Sequence, residues 1–420
     1  MRAGRGRQQQ YVSRVCLGIM LSILSIHMAS GQAFTVSGLV IDKSTGETLP
    51  YATGRVLDNT LGTVSNLSGA FDFHVPTQLM NGQLQISMLG YETLLIPLLE
   101  VRAQNITKFE LAPSLRVLEE VVVSDSLTGG EIFQLALAKI ENNYPMNPVL
   151  MDGFYRDIKK VGDKYESLLE AAIVIYDKNY KAPRDYTKLR ERVGIIQIRK
   201  SFDYAPALTT YFDQYNLLED LLLENSVNYR SFNDEPEFYS NLKRETIQGF
   251  DNEPMYLISL IVPGYDLKMY IDKKTFAFFK VEFGWGDMVT PILTYKKSRN
   301  LENHVMRLDK VVEFEPIDGK FYLKYIRSNY LNHWMNMDTQ ELETTTELFQ
   351  ELVINDIDME DPQWVTSSQK MKKYGLQFQN EPYDEQFWAN YNLIKSTPPD
   401  DEIVKDLEEE VTLQTQFKNN

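Results

Sequence analysis

From Phe34 to about Ala112, apolar and polar residues alternate in short runs: Phe71, Phe73 and Val75 against Asp72 and His74, then Leu84, Ile86 and Met88 against Gln83, Gln85 and Ser87. A period of two puts successive side chains on opposite faces of a strand. Turn chemistry separates the runs at Asp42 to Gly46, Asp58-Asn59, Asn66 to Gly69 and Asn81-Gly82, where Gly and Asn accept the backbone angles of tight turns. Seven strands fit this stretch, and their spacing predicts an all-β sandwich.

The pattern then changes period. Thr128-Gly129-Gly130-Glu131 has the form of a capping box and predicts a helix to about Asn143, with Ile132, Leu135, Ala136 and Ile140 on one face and Pro145 and Pro148 ending it. A second helix is predicted from Gln214 to Asn225, where Leu217, Leu218, Leu221 and Leu222 form a stripe and Glu219, Asp220 and Glu224 lie elsewhere on the wheel. From Leu257 strands dominate. Leu267, Met269 and Ile271 oppose Lys268, Tyr270 and Asp272; Ala277, Phe279, Val281 and Phe283 form one face, and Met306, Leu308, Val312 and Phe314 another. Phe321 to Ile326 reads as a strand apolar on both sides, and Thr344 to Val353 as a further one. Such alternation predicts an antiparallel sheet with one wet face. Whether the two helices close its apolar face or a curved half-barrel leaves a groove there is left open.

The fold class is therefore mainly β, or α+β: an N-terminal seven-stranded β-sandwich, then a larger antiparallel-sheet domain with covering helices. The expected divisions are an export signal over 1–31, the sandwich over 32–113, a linker over 114–130, the sheet domain over 131–379 and an aromatic and acidic tail over 380–420.

The sandwich carries ordered motifs: Ser37-Gly38-Leu39-Val40-Ile41-Asp42, Thr45-Gly46-Glu47-Thr48-Leu49-Pro50-Tyr51-Ala52, Gly62-Thr63-Val64-Ser65-Asn66, Gly69-Ala70-Phe71 and Ile86-Ser87-Met88-Leu89-Gly90-Tyr91-Glu92. In these it resembles the carboxypeptidase regulatory-like domain common in exported proteins of Bacteroidetes. The resemblance implies a transthyretin-like, non-catalytic sandwich. Asn66 and Ser68 stand where relatives often have acidic residues, which speaks against calcium in that loop. Leu118-Glu119-Glu120-Val121-Val122-Val123-Ser124 is similar to the segment that joins this domain to the plug of TonB-dependent outer-membrane receptors; read from its residues, it is a Val-rich edge strand or linker. A transporter barrel of about 22 strands needs more chain than the remaining residues supply. The turn at Tyr270 to Thr275 and its sheet are loosely similar to periplasmic lipoprotein carriers. The tail, with Phe387, Trp388 and Tyr391 ahead of an acidic run from Asp400 to Glu410, resembles tails of exported Bacteroidetes proteins that pair this sandwich with an uncharacterised domain. It reads as a solvated acidic helix at Asp401 to Val411, or as a partner contact through the three aromatics.

Composition sharpens the address. The 420 residues carry 59 acidic and 43 basic side chains, a net charge of −16. Residues 1–14 hold Arg2, Arg5, Arg7 and Arg14 and no acid; Val15 to Ile26 is apolar but shorter than the roughly 20 residues a bilayer needs; Ala29-Ser30-Gly31 are small. This is the pattern of a signal peptide cleaved before Gln32, and the mature net charge would be about −20 without those four arginines. So acidic a surface disfavours nucleic acid and anionic membranes. The single cysteine, Cys16, lies inside the apolar run, so disulfides and lipoprotein acylation are not expected. The expected location is the periplasm or the outer membrane, with no transmembrane span in the mature chain.

No motif names a reaction. His74, His304 and His333 lack a second ligand at zinc spacing, and Asp356 to Asp361 begins like a calcium loop but has Asp361 where Gly is needed and Ser367 where Glu is needed. Gly284-Trp285-Gly286-Asp287 reads as a strand connection. No catalytic, metal or cofactor residue is assigned, and no cofactor is expected. The leading expectation is a non-enzymatic binding or assembly module of the cell envelope, its partner an envelope protein or an apolar ligand. The alternatives are a carrier of lipid or lipoprotein acyl chains in a half-barrel groove, and a hydrolase whose carboxylates the sequence does not identify.

Overall fold

The computed structural model describes residues 33–114 and 127–419, apart from 203–205, 214–216, 234, 251–252, 287–289, 299, 372–374 and 396–397. The expected export signal and the Val-rich linker lie outside the described residues.

Seven strands build the first unit: β1 (Ala33–Asp42), β2 (Thr53–Val56), β3 (Gly62–Val64), β4 (Ala70–Pro76), β5 (Gln83–Ser87), β6 (Leu94–Pro97) and β7 (Lys108–Leu111). They form two sheets, ordered β4-β1-β7 and β3-β2-β5-β6. The alternating residues read from the sequence, Phe71, Phe73, Val75, Leu84 and Ile86, fill the space between them. A helix the pattern did not announce, Leu98–Gln104, plugs one end with Leu98 and Val101 and stops at Asn105, whose left-handed backbone ends it.

The second unit is one antiparallel sheet of eleven strands: β8 (Val149–Val161), β9 (Lys164–Asp177), β10 (Arg192–Lys200), β11 (Lys243–Gln248), β12 (Pro254–Val262), β13 (Tyr265–Asp272), β14 (Phe278–Trp285), β15 (Leu293–Lys296), β16 (Leu301–Ile317), β17 (Lys320–Asn336) and β18 (Glu341–Asp358). Its order is β10-β9-β8-β18-β17-β16-β14-β13-β12-β11, with β15 also on β16. The chain lays β8 to β10, crosses through helices, lays β11 to β17 and returns with β18 to pair β8.

Both predicted helices cover the apolar face. The first is Gly129–Ala138, continued by Ile140–Asn143; the Thr128 hydroxyl accepts from the Glu131 amide while the Glu131 carboxylate accepts from the Thr128 amide, so the capping box is formed. The second is Leu217–Leu223. Ile132, Phe133, Ala136 and Ile140 from the first, and Leu218, Leu221 and Leu222 from the second, join Tyr155, Ile173, Met269, Val312 and Ile326 in one core. Shorter helices at Pro206–Tyr211, Ser226–Tyr229 and Pro236–Asn241 extend the layer.

Over β8, β9 and β16 to β18 the opposite face corrects the expectation of a wet side, whereas on β13 Lys268, Tyr270 and Asp272 stay partly exposed opposite buried Leu267, Met269 and Ile271. Phe154, Ala172, Val311, Tyr325 and Val353, each adjacent in sequence to a residue of the helical core, form a second core with Val64 of the sandwich and with Trp388 and Ile394 of the tail. The tail aromatics are thus taken up inside the chain: Trp388 is buried, and Arg199 lies 4.4 Å above its ring. Most of the acidic run forms the helix Pro398–Leu407, which is not freely solvated: Asp406 accepts from the Tyr165 amide and Ile403 is buried, and just beyond the helix Glu409 pairs with Lys164. A second correction concerns β14. An irregularity sets Ile271 opposite Phe278 and Tyr270 opposite Lys280, so Phe278 is buried in the helical core with Ala277 and Val281, while Phe279 and Phe283 of the predicted face pack against it only partly buried.

Candidate functional site

Three features of the sheet have the makings of a site. The first is a cavity of about 420 Å³ on the helical face, between the helices Pro206–Tyr211 and Leu217–Leu223 and the far ends of β15 to β18. Its apolar lining includes Phe212, Leu217, Leu221, Val305 and Leu348. Leu217 and Leu221 of the helix supply the roof, and the Gln350 side chain ties helix to sheet, its Nε2 donating to the Leu217 carbonyl at 2.7 Å and to the Tyr155 hydroxyl at 2.8 Å. Farther out, Tyr211 lies 5.1 Å from Trp334 between ring centroids, and the Trp334 indole donates to Thr346 at 2.9 Å.

The mouth of this cavity is apolar and acidic at once. Leu293 and Tyr295 on β15 line it while remaining 58 % and 51 % exposed. Asp213, Asp220 and Glu224 stand on the helical side. Glu224 accepts from the Tyr330 hydroxyl at 3.0 Å and pairs with Lys310. Partial burial raises the Asp220 carboxyl to about 6, with Asp213, Glu219 and Glu224 adding to the effect. Beyond Lys310, which lies over the Phe283 ring, an aromatic group of Tyr265, Phe283 and Trp285 carries the apolar surface toward the β12–β13 turn, where Ile261 and Val262 are exposed.

The second feature is a polar cleft of about 790 Å³ where the sandwich, the sheet and the tail meet, lined by His74, Asp152, Asn355, Asp356, Phe387 and Tyr391 among others. Asp152 on β8 and Asp356 on β18 are register partners. Burial pushes the Asp152 carboxyl up to about 6, although the Tyr391 hydroxyl donates to it at 2.6 Å. Asp356 accepts from the Thr60 hydroxyl.

The third is a charged centre on the sandwich face. Arg156 donates from Nε to Glu170 at 2.8 Å and from Nη2 to the Ile394 carbonyl at 3.0 Å, and approaches Glu351 at 3.3 Å; Arg199 closes on the other oxygen of Glu170 at 2.5 Å. Burial works to raise the Glu170 carboxyl, and Arg199 and Arg156 outweigh it, leaving it below its ordinary value.

His304 and His333, 29 positions apart, are brought opposite one another on β16 and β17, with the Glu302 carboxylate accepting from His304 Nε2 at 2.8 Å. His74 bonds Thr35 at 2.8 Å. Among the described residues no group of three His, Cys, Asp or Glu side chains is close enough to hold a metal. Asp358 caps a turn by accepting from the Glu360 and Asp361 amides. Trp285 ends β14, half-exposed. The sequence reading missed Asn303, a wholly buried residue of the cavity wall. Its signal was present: Asn303 stands in phase with Leu301 and Val305, at a position the alternation reserves for an apolar side chain.

This is a two-unit β protein, a sandwich attached to a large helix-covered antiparallel sheet. Residues 36–123 match the CarboxypepD_reg-like domain, which accounts for the sandwich. No curated protein matches the chain. Among solved structures, it is similar to a domain named for outer membrane lipoprotein sorting from Vibrio parahaemolyticus (10% identity, TM-score 0.21, 56% of this chain and 94% of that one). It is also similar to a LolA superfamily protein from Nitrosomonas europaea (11%, 0.18, 57% and 99%). A third is a DUF1329 family protein from Desulfovibrio piger (9%, 0.21, 56% and 94%). No helix among the described residues is long and apolar enough to cross a membrane.

Proposed function

We propose that the chain is a non-enzymatic binding protein of the cell envelope that holds an apolar ligand between the leucine helix and the sheet. The observation that carries this reading is the cavity of about 420 Å³ roofed by Leu217 and Leu221 and entered past the exposed Leu293 and Tyr295. Its size lies within the range of small-molecule sites, and its wall joins leucines, Val305, Phe212 and three tyrosines to a set of amide, hydroxyl and carboxyl groups. The envelope address rests on the basic, apolar and small-residue succession of the first 31 residues. None of the described residues of the sandwich or the tail lines this cavity. The test is uptake of Nile red, a neutral apolar dye, by the purified protein. A blue-shifted, saturable signal that is lost in Leu348→Trp, which fills the cavity from a half-buried wall position, supports the reading. Absence of saturable uptake by the wild type defeats it.

Hydrolysis is a second reading, favoured by the pairing of Asp152 with Asp356 in the polar cleft. A carboxyl raised to about 6 beside a second carboxyl is a pattern that acid–base enzymes use. Against it, both groups already hold the sandwich and the tail through Thr60 and Tyr391. Turnover of chromogenic glycosides that vanishes in Asp152→Asn would establish it, and inert wild-type protein would leave the binding reading alone.

A further inference from the structure

The cavity wall contains a group that the fold leaves without a partner. Asn303 is 0 % exposed, and neither its amide nitrogen nor its amide oxygen is hydrogen-bonded among the described residues. Its neighbours on the same wall are satisfied: Gln350 donates to Leu217 and Tyr155, and Trp334, its register partner on β17, donates to Thr346. Buried amides are nearly always paired, because an unpaired one forfeits its hydrogen bonds to water and gains nothing in return. A leucine of similar size would avoid that cost and continue the Leu301–Val305 pattern. The position therefore makes sense when something in the cavity supplies both an acceptor and a donor.

The charge around the mouth limits what that can be. Asp213, Asp220 and Glu224 all line it; Glu224 pairs with Lys310, and Asp220 lies close enough to Asp213, Glu219 and Glu224 for their charges to oppose its own. A free carboxylate or phosphate would enter against like charge in a partly desolvated site.

We infer that the ligand of this cavity is an apolar chain with an uncharged, hydrogen-bonding head group, such as an acyl amide or an acyl ester of a polyol, seated on Asn303. This rests on the apolar-ligand reading above and adds the chemistry of the head group.

The experiment is competition against bound Nile red by palmitamide, monopalmitoylglycerol and palmitate at neutral pH, on the wild type and on Asn303→Leu, with thermal melting of both proteins in the absence of ligand. The two neutral-headed competitors should act at about tenfold lower concentration than palmitate, the effect of roughly one hydrogen bond in a closed site. Asn303→Leu should erase that preference, still bind Nile red, and melt no lower than the wild type. Palmitate matching the neutral compounds on the wild type overturns the inference, as does a preference that survives Asn303→Leu. If the variant does not fold, the wild-type ranking decides. Nile red uptake with no ranking sinks the head-group assignment alone, whereas no uptake sinks the apolar-ligand reading beneath it.

Discussion

Arg156 on β8 and Glu170 on β9 face each other across one rung of the sheet, with Nη2 2.7 Å from Oε1 and both side chains closed off from solvent. The pair lies where the sheet, the sandwich and the tail converge, and the same guanidinium reaches the Ile394 carbonyl. Arg156→Ala would leave Glu170 with Arg199 alone and Glu351 without its arginine, so we expect a loss of about 3–5 kcal/mol in urea unfolding. The pH dependence follows from the depressed Glu170 carboxyl. Its contribution is complete above the ordinary glutamate value of about 4.3 and is lost as pH falls through the lower native value. An urea midpoint that does not decline in acid would contradict this.

Asp177 and Glu191 show the opposite sign. Both are buried, and Asn228 donates to Asp177 at 3.3 Å and to Glu191 at 2.8 Å. Burial and the neighbouring Glu191 push the Asp177 carboxyl well above its ordinary value. A raised native value means that this group's stabilisation is complete below the unfolded pKa and is lost as pH rises through the native one. Asp177→Asn should therefore flatten the decline in stability that begins as pH rises above the ordinary aspartate value of about 3.9. Identical profiles for the two proteins would show that the carboxyl carries no proton in the fold.

Gly130→Ala would ordinarily strengthen a helix by about 1 kcal/mol. Here a Cβ would lie 2.6 Å from the Tyr239 carbonyl oxygen. Overpacking of this kind costs about 1–3 kcal/mol, so the net change should be destabilising. A gain in melting temperature would mean that the helix does not pack this closely on Pro236–Asn241.

Tyr391→Phe removes a hydroxyl shared by the Asp152 carboxylate at 2.6 Å and the Gly153 carbonyl at 2.8 Å. We expect a loss of about 1–3 kcal/mol and faster proteolysis within residues 381–395. Unchanged cleavage would show that the tail is held by its aromatic packing alone.

These sites differ in how far the sequence announces them. The sandwich strands, the capping box and the leucine helix follow local rules, and the alternation of Leu267, Met269 and Ile271 places β13 correctly. The strands β8 to β10 are harder to read because Leu168 to Ile175 is almost continuously apolar, as expected of a strand buried on both faces, where period two disappears. The β14 irregularity moved the buried position by one residue without any local sign. The facing of His304 and His333 depends on the β16–β17 register, and the contact of Ile394 with Arg156 spans most of the chain; neither separation leaves a trace in spacing. Asn303 was legible as a polar residue in an apolar phase, but only the fold shows that none of the described residues pairs with it.

Because neighbouring residues of β17 enter different interiors, Tyr325 among the charged pairs beneath the sandwich and Ile326 among the helix leucines, the sheet cannot tolerate a slip of one residue. Such a slip would exchange the two interiors, stranding an aliphatic side chain among ion pairs and a phenol in an oily layer. The central strands are thus indexed from both sides, whereas β10 and β11, at the two ends of the sheet, each pair with a single strand.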